Sequence, residues 1–302
     1  MIFLNGKYIL EQDAKLEHND RGFLLSDGIF ETMRAYDGKI SGLSDHYERL
    51  KKSARYLEIP FAMTFLDFTN VANKLLEKNG LSGKSASLRV TLTRGTGPRG
   101  LLPPENVVPT LMFAAFPFSP SISKPLKVVI SKFRRNEFSP LSNIKSLCYL
   151  DNIIARRDAA KQGADECILL NTKNNVACAS VANIFIVTER GIITPKLEDG
   201  VLPGITRQAI INICKKNNFS IHEETISETD LMNAKEVFFT NRLIEIQPVM
   251  QINSKLVNGG KVGDVVTMLQ KLYKNNIEKS FSASDEKKIV PETERVFIRS
   301  SL

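Results

Sequence analysis

The chain contains no tryptophan, three histidines and four cysteines in 302 residues. Each scarcity excludes something. Cys148, Cys167, Cys178 and Cys214 form no Cys-x-x-Cys pair, and the histidines are widely scattered. That spacing argues against a zinc site, so no metal is expected. Cys167 and Cys214 read as buried, reduced thiols. Long apolar runs are also missing: none approaches the ~20 uncharged residues that a membrane-spanning helix needs. The first residues, MIFLNGKYILEQDAK, meet charge too early to hold the core of a signal peptide. There is no internal repeat and no low-complexity tract. A cytoplasmic protein with no membrane partner is the expectation.

Acidic residues fall short of basic ones, 33 against 41, which leaves a formal net charge of +8. The excess is concentrated: between Lys124 and Lys161 stand nine Lys or Arg and three acids. A small anionic ligand suits this stretch better than a nucleic-acid backbone, because aromatic residues do not alternate with the basic ones as a stacking platform would require. No nucleic-acid partner is therefore expected. A hydrophobic fraction of 42% and a charged fraction of 25% are those of a globular chain, and 302 residues suffice for two domains with separate cores.

Strand and helix signals alternate along the sequence. Ile2–Leu4 and Tyr8–Leu10 flank the turn dipeptide Asn5-Gly6, and Gly28–Tyr36 is an extended segment closed by Asp37-Gly38. Ser44 reads as a helix N-cap for His46–Leu57, whose residues 47, 50, 54 and 57 share one face. Phe65–Asn79 is a second helix, and Ser85–Thr93 and Thr110–Phe116 are strands. Phe116–Pro125, with three prolines and three serines, is the best linker. Beyond it come a strand at Leu126–Phe133, a loop at 134–144, and a helix at Leu147–Gln162 expected to turn Leu147, Leu150, Ile153 and Ile154 inward. Strands follow at Cys167–Leu170 and Val176–Val187. A helix opens at Gly204-Ile205-Thr206 with the stripe Ile210, Ile211, Ile213, Cys214. Strands at Glu236–Thr240 and Glu245–Val249 precede a polar tail from about Phe281.

Three features carry possible chemistry. Lys145 lies where a loop enters an apolar segment; partial burial there would lower its pKa, as an amine nucleophile needs. Its bland reading is a surface lysine. The helix start at Gly204–Thr206 offers free backbone N–H groups and a hydroxyl, a seat for phosphate or simply a cap. Arg49, one turn after His46, points either to an anion or to water. Singly, each is weak.

Together they fall into a pattern. Asn19–Arg34, His46–Leu50, Thr93–Gly100, Ile144–Leu147, Asn183–Phe185, Gly200–Arg207 and Phe238–Leu243 resemble, in order and spacing over about residues 2–275, the class IV aminotransferases, or fold-type IV pyridoxal-phosphate enzymes. The resemblance implies an α+β fold of two domains: a small, sandwich-like N-terminal α/β domain over 1–117 and a larger, β-barrel-like cofactor domain with helices over 125–280. A linker over 118–124 joins them, and a tail covers 281–302. It implies pyridoxal 5′-phosphate as cofactor and a homodimer in which the Arg94–Leu101 loop completes the partner's site.

By resemblance, Lys145 is the Schiff-base lysine, and Arg49 grips the cofactor phosphate with Ile205 and Thr206. Asn241, or a neighbour in its turn, makes the remaining phosphate contact, and Tyr149 reaches the ring oxygen. Cys178 occupies the position where the family carries a glutamate facing the pyridine nitrogen, a departure that disfavours transamination, and Cys148 stands where many members have Asn. Leu101 replaces the histidine of D-amino-acid aminotransferases. Phe30 and Arg99 are the substrate contacts, Arg99 meeting a small anionic, amino-acid-like substrate. Thr32, where branched-chain aminotransferases have Gly, and the Thr240–Leu243 turn resemble 4-amino-4-deoxychorismate lyase, which expels pyruvate to form 4-aminobenzoate for folate synthesis. That activity, with Lys145 and Thr32 as catalytic groups, is the leading expectation. An amino-acid aminotransferase of branched-chain or D-amino-acid type is the alternative, and a non-catalytic paralogue is a third reading that rests on Cys178.

Overall fold

The computed structural model describes residues 1–119 and 124–286. The first half forms a six-stranded sheet from β1 (Ile2–Leu4), β2 (Lys7–Ile9), β3 (Gly28–Tyr36), β4 (Lys39–Ile40), β5 (Ala86–Thr93) and β6 (Thr110–Pro117), in the order β2-β1-β6-β5-β3-β4. Every neighbouring pair is antiparallel. The short α1 (Arg21–Leu25) precedes β3, while α2 (Leu43–Tyr56) and α3 (Phe65–Lys78) lie between β4 and β5 in the chain. Period-two alternation sorts the central strands: Ile29, Met33, Leu88, Val90 and Leu92 are buried with Leu50 of α2 and Phe68, Leu75 and Leu76 of α3 in one core. The opposite face carries Phe30 and Thr32, paired with Thr91 and Arg89.

The second half is built on β7 (Leu126–Arg135), α4 (Leu150–Lys161), β8 (Glu166–Asn171), β9 (Val176–Ala179), β10 (Asn183–Thr188), β11 (Gly191–Thr194), α5 (Ile205–Lys216), β12 (Ile221–Glu223), α6 (Glu228–Met232), β13 (Glu236–Asn241), β14 (Glu245–Ile252), β15 (Lys255–Leu256) and α7 (Asp264–Glu286). The strand order is β12-β11-β10-β13-β14-β7-β8-β9, with β15 on β14. Four strands separate β10 from β9 in the sheet, yet the chain joins them directly and the Ala179 amide donates to the Ala182 carbonyl. The sheet must therefore curl until its β9 edge returns beside β10, which makes it a half-barrel. Its strands are buried on both faces. Ile168 and Leu170 of β8 face the interior with Ile184, Ile186 and Phe239, whereas Cys167 and Leu169 pack under α4, and Phe185 and Phe238 under α5 and α7.

The two sheets meet along β3. Arg34 and Tyr36 both reach Glu245 on β14, and the Phe30 amide donates to the Lys145 carbonyl at 2.9 Å. The mixed α+β architecture matches the expectation; of the segment expected as a linker, 120–123 lie outside the described residues.

Several local expectations are corrected. Gly42, in the left-handed region, precedes α2 as its cap, so Ser44 lies inside the helix. Helix α4 starts at Leu150, not Leu147, and its inward face is Ala155 and Ala159; Leu150 is 67% and Ile153 50% exposed. Small side chains face the sheet because the helix packs close to it, which leaves the large apolar ones outside. The strand expected at Val176–Val187 is two strands, broken at 180–182. The polar tail begins inside α7, and residues 287–302 lie outside the described residues.

Helix α7 escaped the sequence reading. Its Val266, Leu269, Tyr273 and Ile277 share one stripe and are buried with α5. Truncating Leu269 to Ala should lower stability by about 2–5 kcal/mol, and Met268→Ala, on the exposed side, by about 0.5 kcal/mol or less. Chemical denaturation of both variants checks this; equal losses would contradict the docking of α7.

Candidate active site

A cleft of about 970 Å³ opens where the two sheets meet, and residues from both halves line it. Phe30, Thr32, Arg49 and Arg89 come from the first, and Lys145, Tyr149, Cys178, Ser180, Ile205, Thr206, Thr240 and Asn241 from the second.

Lys145 is held by backbone pairing. Ser146 forms an isolated antiparallel bridge with Ile29, and the Leu147 amide donates to the Gly28 carbonyl at 2.9 Å. Gly28 is required by this close approach, since a Cβ there would lie 2.8 Å from Leu147 Cδ1 and 2.7 Å from the Leu92 carbonyl oxygen. The Lys145 ammonium sits 4.3 Å from the Phe30 ring centroid and donates to the Tyr149 hydroxyl at 3.3 Å. Burial, then the positive charges of Arg49 and Arg89, lower its pKa from 10.5 to about 8, against the opposing pull of Glu31. Burial raises the pKa of Tyr149, which keeps that hydroxyl protonated.

Arg49 is fixed by a buried acid. Glu31 is on the core face of β3, where burial alone would raise its pKa, but Arg49 and His46 together hold it at about 2. Arg49 Nε and Nη2 donate to the two Glu31 oxygens at 2.7 Å each, a bidentate fork. Its Nη1 donates to the Pro203 carbonyl at 3.0 Å, beside the N-terminus of α5.

That N-terminus has no side-chain cap, and a Cβ at Gly204 would overlap the Asn183 side chain. Around it, the hydroxyls of Thr206, Thr240 and Ser180 are buried with no hydrogen-bond partner. Orphaned buried hydroxyls are rare and costly, so three in one cleft beside open helix amides and an arginine fit a dianionic phosphate. The residues present accommodate the phosphate end of pyridoxal phosphate, and Lys145 accommodates its aldehyde end.

Two expected positions make no free contact in the cleft of a single chain. The Asn241 side chain lines the cleft, but its oxygen accepts from the Leu243 and Ile244 amides and its nitrogen donates to the Val181 carbonyl; it holds the turn, and Thr240 offers the free hydroxyl. Arg99 is exposed and does not line the cleft of its own chain. Cys178 lines the cleft and packs in the core with Cys167; burial raises its pKa, so it presents a neutral thiol.

Thr240 is the neighbour in the turn that the sequence left open as the phosphate contact, whereas Arg89, Ser180, Glu31 and Arg242 were not singled out. Arg89 had a signal: it lies between Leu88 and Val90 in an alternating strand and so belongs to the non-core face. Its guanidinium stacks 3.8 Å from the Phe30 ring centroid, is partly desolvated, and among the described residues has no hydrogen bond or ion pair.

The fold and the cleft together define an enzyme that handles a phosphorylated cofactor with a lysine amine. The model of the family Amino-transferase class IV matches residues 28–252. A Methanocaldococcus jannaschii protein, provisionally named a branched-chain-amino-acid aminotransferase, is 35% identical over 91% of this chain and 95% of its own. The aminodeoxychorismate lyase of Bacillus subtilis (strain 168) is 32% identical over 92% and 95%. A T.th. branched-chain amino acid aminotransferase complexed with N-(5′-phosphopyridoxyl)-L-glutamate superposes with a TM-score of 0.85 at 25% identity, covering 91% of this chain and 93% of that one. The chain belongs to the class IV aminotransferases, a family of pyridoxal-phosphate-dependent enzymes.

The depressed lysine pKa has a measurable consequence. Labelling by an amine-directed acylating reagent, resolved by site with mass spectrometry, should reach its half-maximal rate at Lys145 near pH 8, below the ordinary value of 10.5. A midpoint shared with the exposed lysines would contradict the desolvation of the cleft.

Proposed function

We propose that this chain is a pyridoxal-phosphate-dependent lyase that eliminates pyruvate from 4-amino-4-deoxychorismate, leaving 4-aminobenzoate for folate synthesis. The observation that carries the reading is the Phe30 ring, which bears the Lys145 amine at 4.3 Å and the unpaired Arg89 guanidinium at 3.8 Å. An amine for proton transfer thus stands close to a free cation for a substrate carboxylate.

When bound, pyridoxal phosphate supplies an aldehyde that captures the substrate amine and a ring that accepts electrons from the adjacent carbon. Arg49, the Ile205 and Thr206 amides and the hydroxyls of Thr206, Thr240 and Ser180 would hold its phosphate, and Tyr149 would reach its ring oxygen. Lys145 would remove the proton from the carbon that bears the amine. Arg89 and Phe30 orient the substrate ring and its carboxylate. Thr32 faces Arg89 across β3 and β5, and its proposed role is at the departing enolpyruvate. The ether C–O bond breaks, and the enol takes a proton to become pyruvate; no oxidant or second substrate is needed.

Cys178 supports elimination over transamination. A neutral thiol beside the cofactor ring stabilises negative charge on the ring less than a carboxylate partner that holds the ring nitrogen protonated. A reaction that discharges this charge through a leaving group is the less affected of the two. An amino-acid aminotransferase is the second reading, favoured by the similarity to the Methanocaldococcus jannaschii protein.

Incubation with 4-amino-4-deoxychorismate should release 4-aminobenzoate and pyruvate in equal amounts, and Lys145→Ala should abolish turnover and the visible band of lysine-bound cofactor. Arg89→Met should raise KM about tenfold or more, as expected for the loss of a charge-assisted contact. Amino-group transfer from an amino acid to a 2-oxo acid, with no pyruvate release, would replace this reading with the second.

The working unit in this proposal is a homodimer. Leu101 (84% exposed) and Leu102 (87%) beside Arg99, and Leu150 and Ile153 on α4, are large apolar side chains left facing water, and Ile154 and Val181 are exposed where they line the cleft. A second copy brings its Arg99 loop to that mouth, which explains why Arg99 lies away from its own cleft. Sedimentation should give a dimer, and Ile153→Lys should shift it toward monomer with loss of activity; a wild-type monomer at micromolar concentration would overturn this.

A further inference from the structure

Arg242, in the turn between β13 and β14, reaches out of the large domain and into the small one. Its Nε donates to His46 Nε2 at 3.2 Å, and its Nη1 lies 3.1 Å from the Tyr273 hydroxyl of α7 and 3.5 Å from Ser41 Oγ. His46 is 1% exposed, and its other ring nitrogen, Nδ1, is 2.7 Å from Glu31 Oε2. Because Nε2 accepts from Arg242, the ring proton must be on Nδ1, where it donates to Glu31. Glu31 in turn clamps Arg49 with both oxygens.

We propose that Arg242 is a positioning residue that holds Arg49 in its phosphate-binding pose through the neutral His46 ring and the Glu31 carboxylate. The proposal rests on the reading above that Arg49 binds the cofactor phosphate. A second feature shows that the place for Arg242 is built into the fold: Gly42 has φ +64°, and a Cβ there would overlap the Arg242 guanidinium.

The direction of the relay follows from charge. The charged groups that face His46 are Glu31 from β3, Arg49 from its own helix α2 and Arg242 from the β13–β14 turn. Burial lowers the His46 pKa most. The hydrogen bond and charge of Glu31 oppose burial without offsetting it, and the charges of Arg242 and Arg49 lower the pKa further, so it falls to about 4. A protonated ring would set an N–H donor against the Arg242 donor. The pair therefore stays together only while His46 is neutral with its proton on Nδ1. Without Arg242 the Glu31 carboxylate still keeps the proton on Nδ1, but the ring is anchored at one nitrogen only. Its hydrogen bond to Glu31 is then no longer held in direction, and the Arg49 fork loses its fixed orientation.

The test uses the full chain, with Arg242→Met, Arg242→Gln and the conservative Arg242→Lys, and with pyridoxal 5′-phosphate and pyridoxal as probes. Nitrogen-15 NMR of the three histidines should show His46 in the wild type as the Nδ1–H tautomer, unprotonated above pH 5. In Arg242→Met the ring should keep the Nδ1–H tautomer but titrate at higher pH, because one opposing positive charge is gone. Affinity for pyridoxal 5′-phosphate should fall about tenfold in Arg242→Met and Arg242→Gln, affinity for pyridoxal should not change, and Arg242→Lys should recover most of the loss. A merely structural role would weaken both probes equally, and that outcome overturns the proposal. Arg49→Ala separates the two ideas. If it weakens pyridoxal 5′-phosphate while the Arg242 variants do not, the relay fails and the phosphate reading stands. If Arg49→Ala binds normally, the phosphate reading fails. Should Arg242→Met not fold, the Arg242→Gln and Arg242→Lys pair gives the same comparison.

Discussion

The buried carboxylate of Glu31 is the constraint on which the cleft depends. A charge on the core face of β3 is tolerated only when its hydrogen bonds are fully met. Two of its partners, Arg49 and His46, come from one helix three residues apart, so satisfying the acid fixes both the rotation of α2 and the direction of Arg49. The third Arg49 nitrogen then meets the Pro203 carbonyl, which joins the first half of the chain to the start of α5. One ionic cluster thus sets the alignment of the two halves of the protein.

The curled sheet of the large domain supplies the other half of the geometry. Because its strands are buried on both faces, their register cannot slip without moving apolar residues out of one core or the other. Rigid strands end at Ala179, Asn183 and Asn241, and the cleft residues Ser180 and Thr240 lie at or next to those ends. The hydroxyls they carry face the cleft without partners, a cost that the fold bears and that a bound phosphate would relieve. Lys145 arrives from a loop, but its pairing with Ile29 and Gly28 places it as firmly as a strand residue.

Electrostatics in the cleft follow from this closeness. Lys145, Arg49 and Arg89 crowd one space with few acids, and the two guanidinium charges, after burial, weaken the hold of Lys145 on its proton. An anionic ligand is the natural remedy.

Local order was legible in the sequence wherever periodicity was strong: β3, β5, α3 and α5 lie close to where alternation and helical stripes put them. Lys145, Arg49 and the Gly204–Thr206 helix start were legible as candidates because their neighbours fell into a family pattern. Helix α4 misled because an apolar stripe says that something covers it, not what; here alanines face the sheet and Leu150 and Ile153 face outward. Asn241 misled because a side chain that can bind an anion can equally hold its own turn. Arg89 had only the alternation of its strand to mark it, while Arg242 and the pairing of Glu31 were beyond reach because each acquires its meaning from a partner elsewhere in the chain, as with Arg242 and His46, 196 residues apart. The sequence by itself determined the elements, the family and the amine; only the tertiary structure decided which charges face one another, because that depends on how separate segments are brought together.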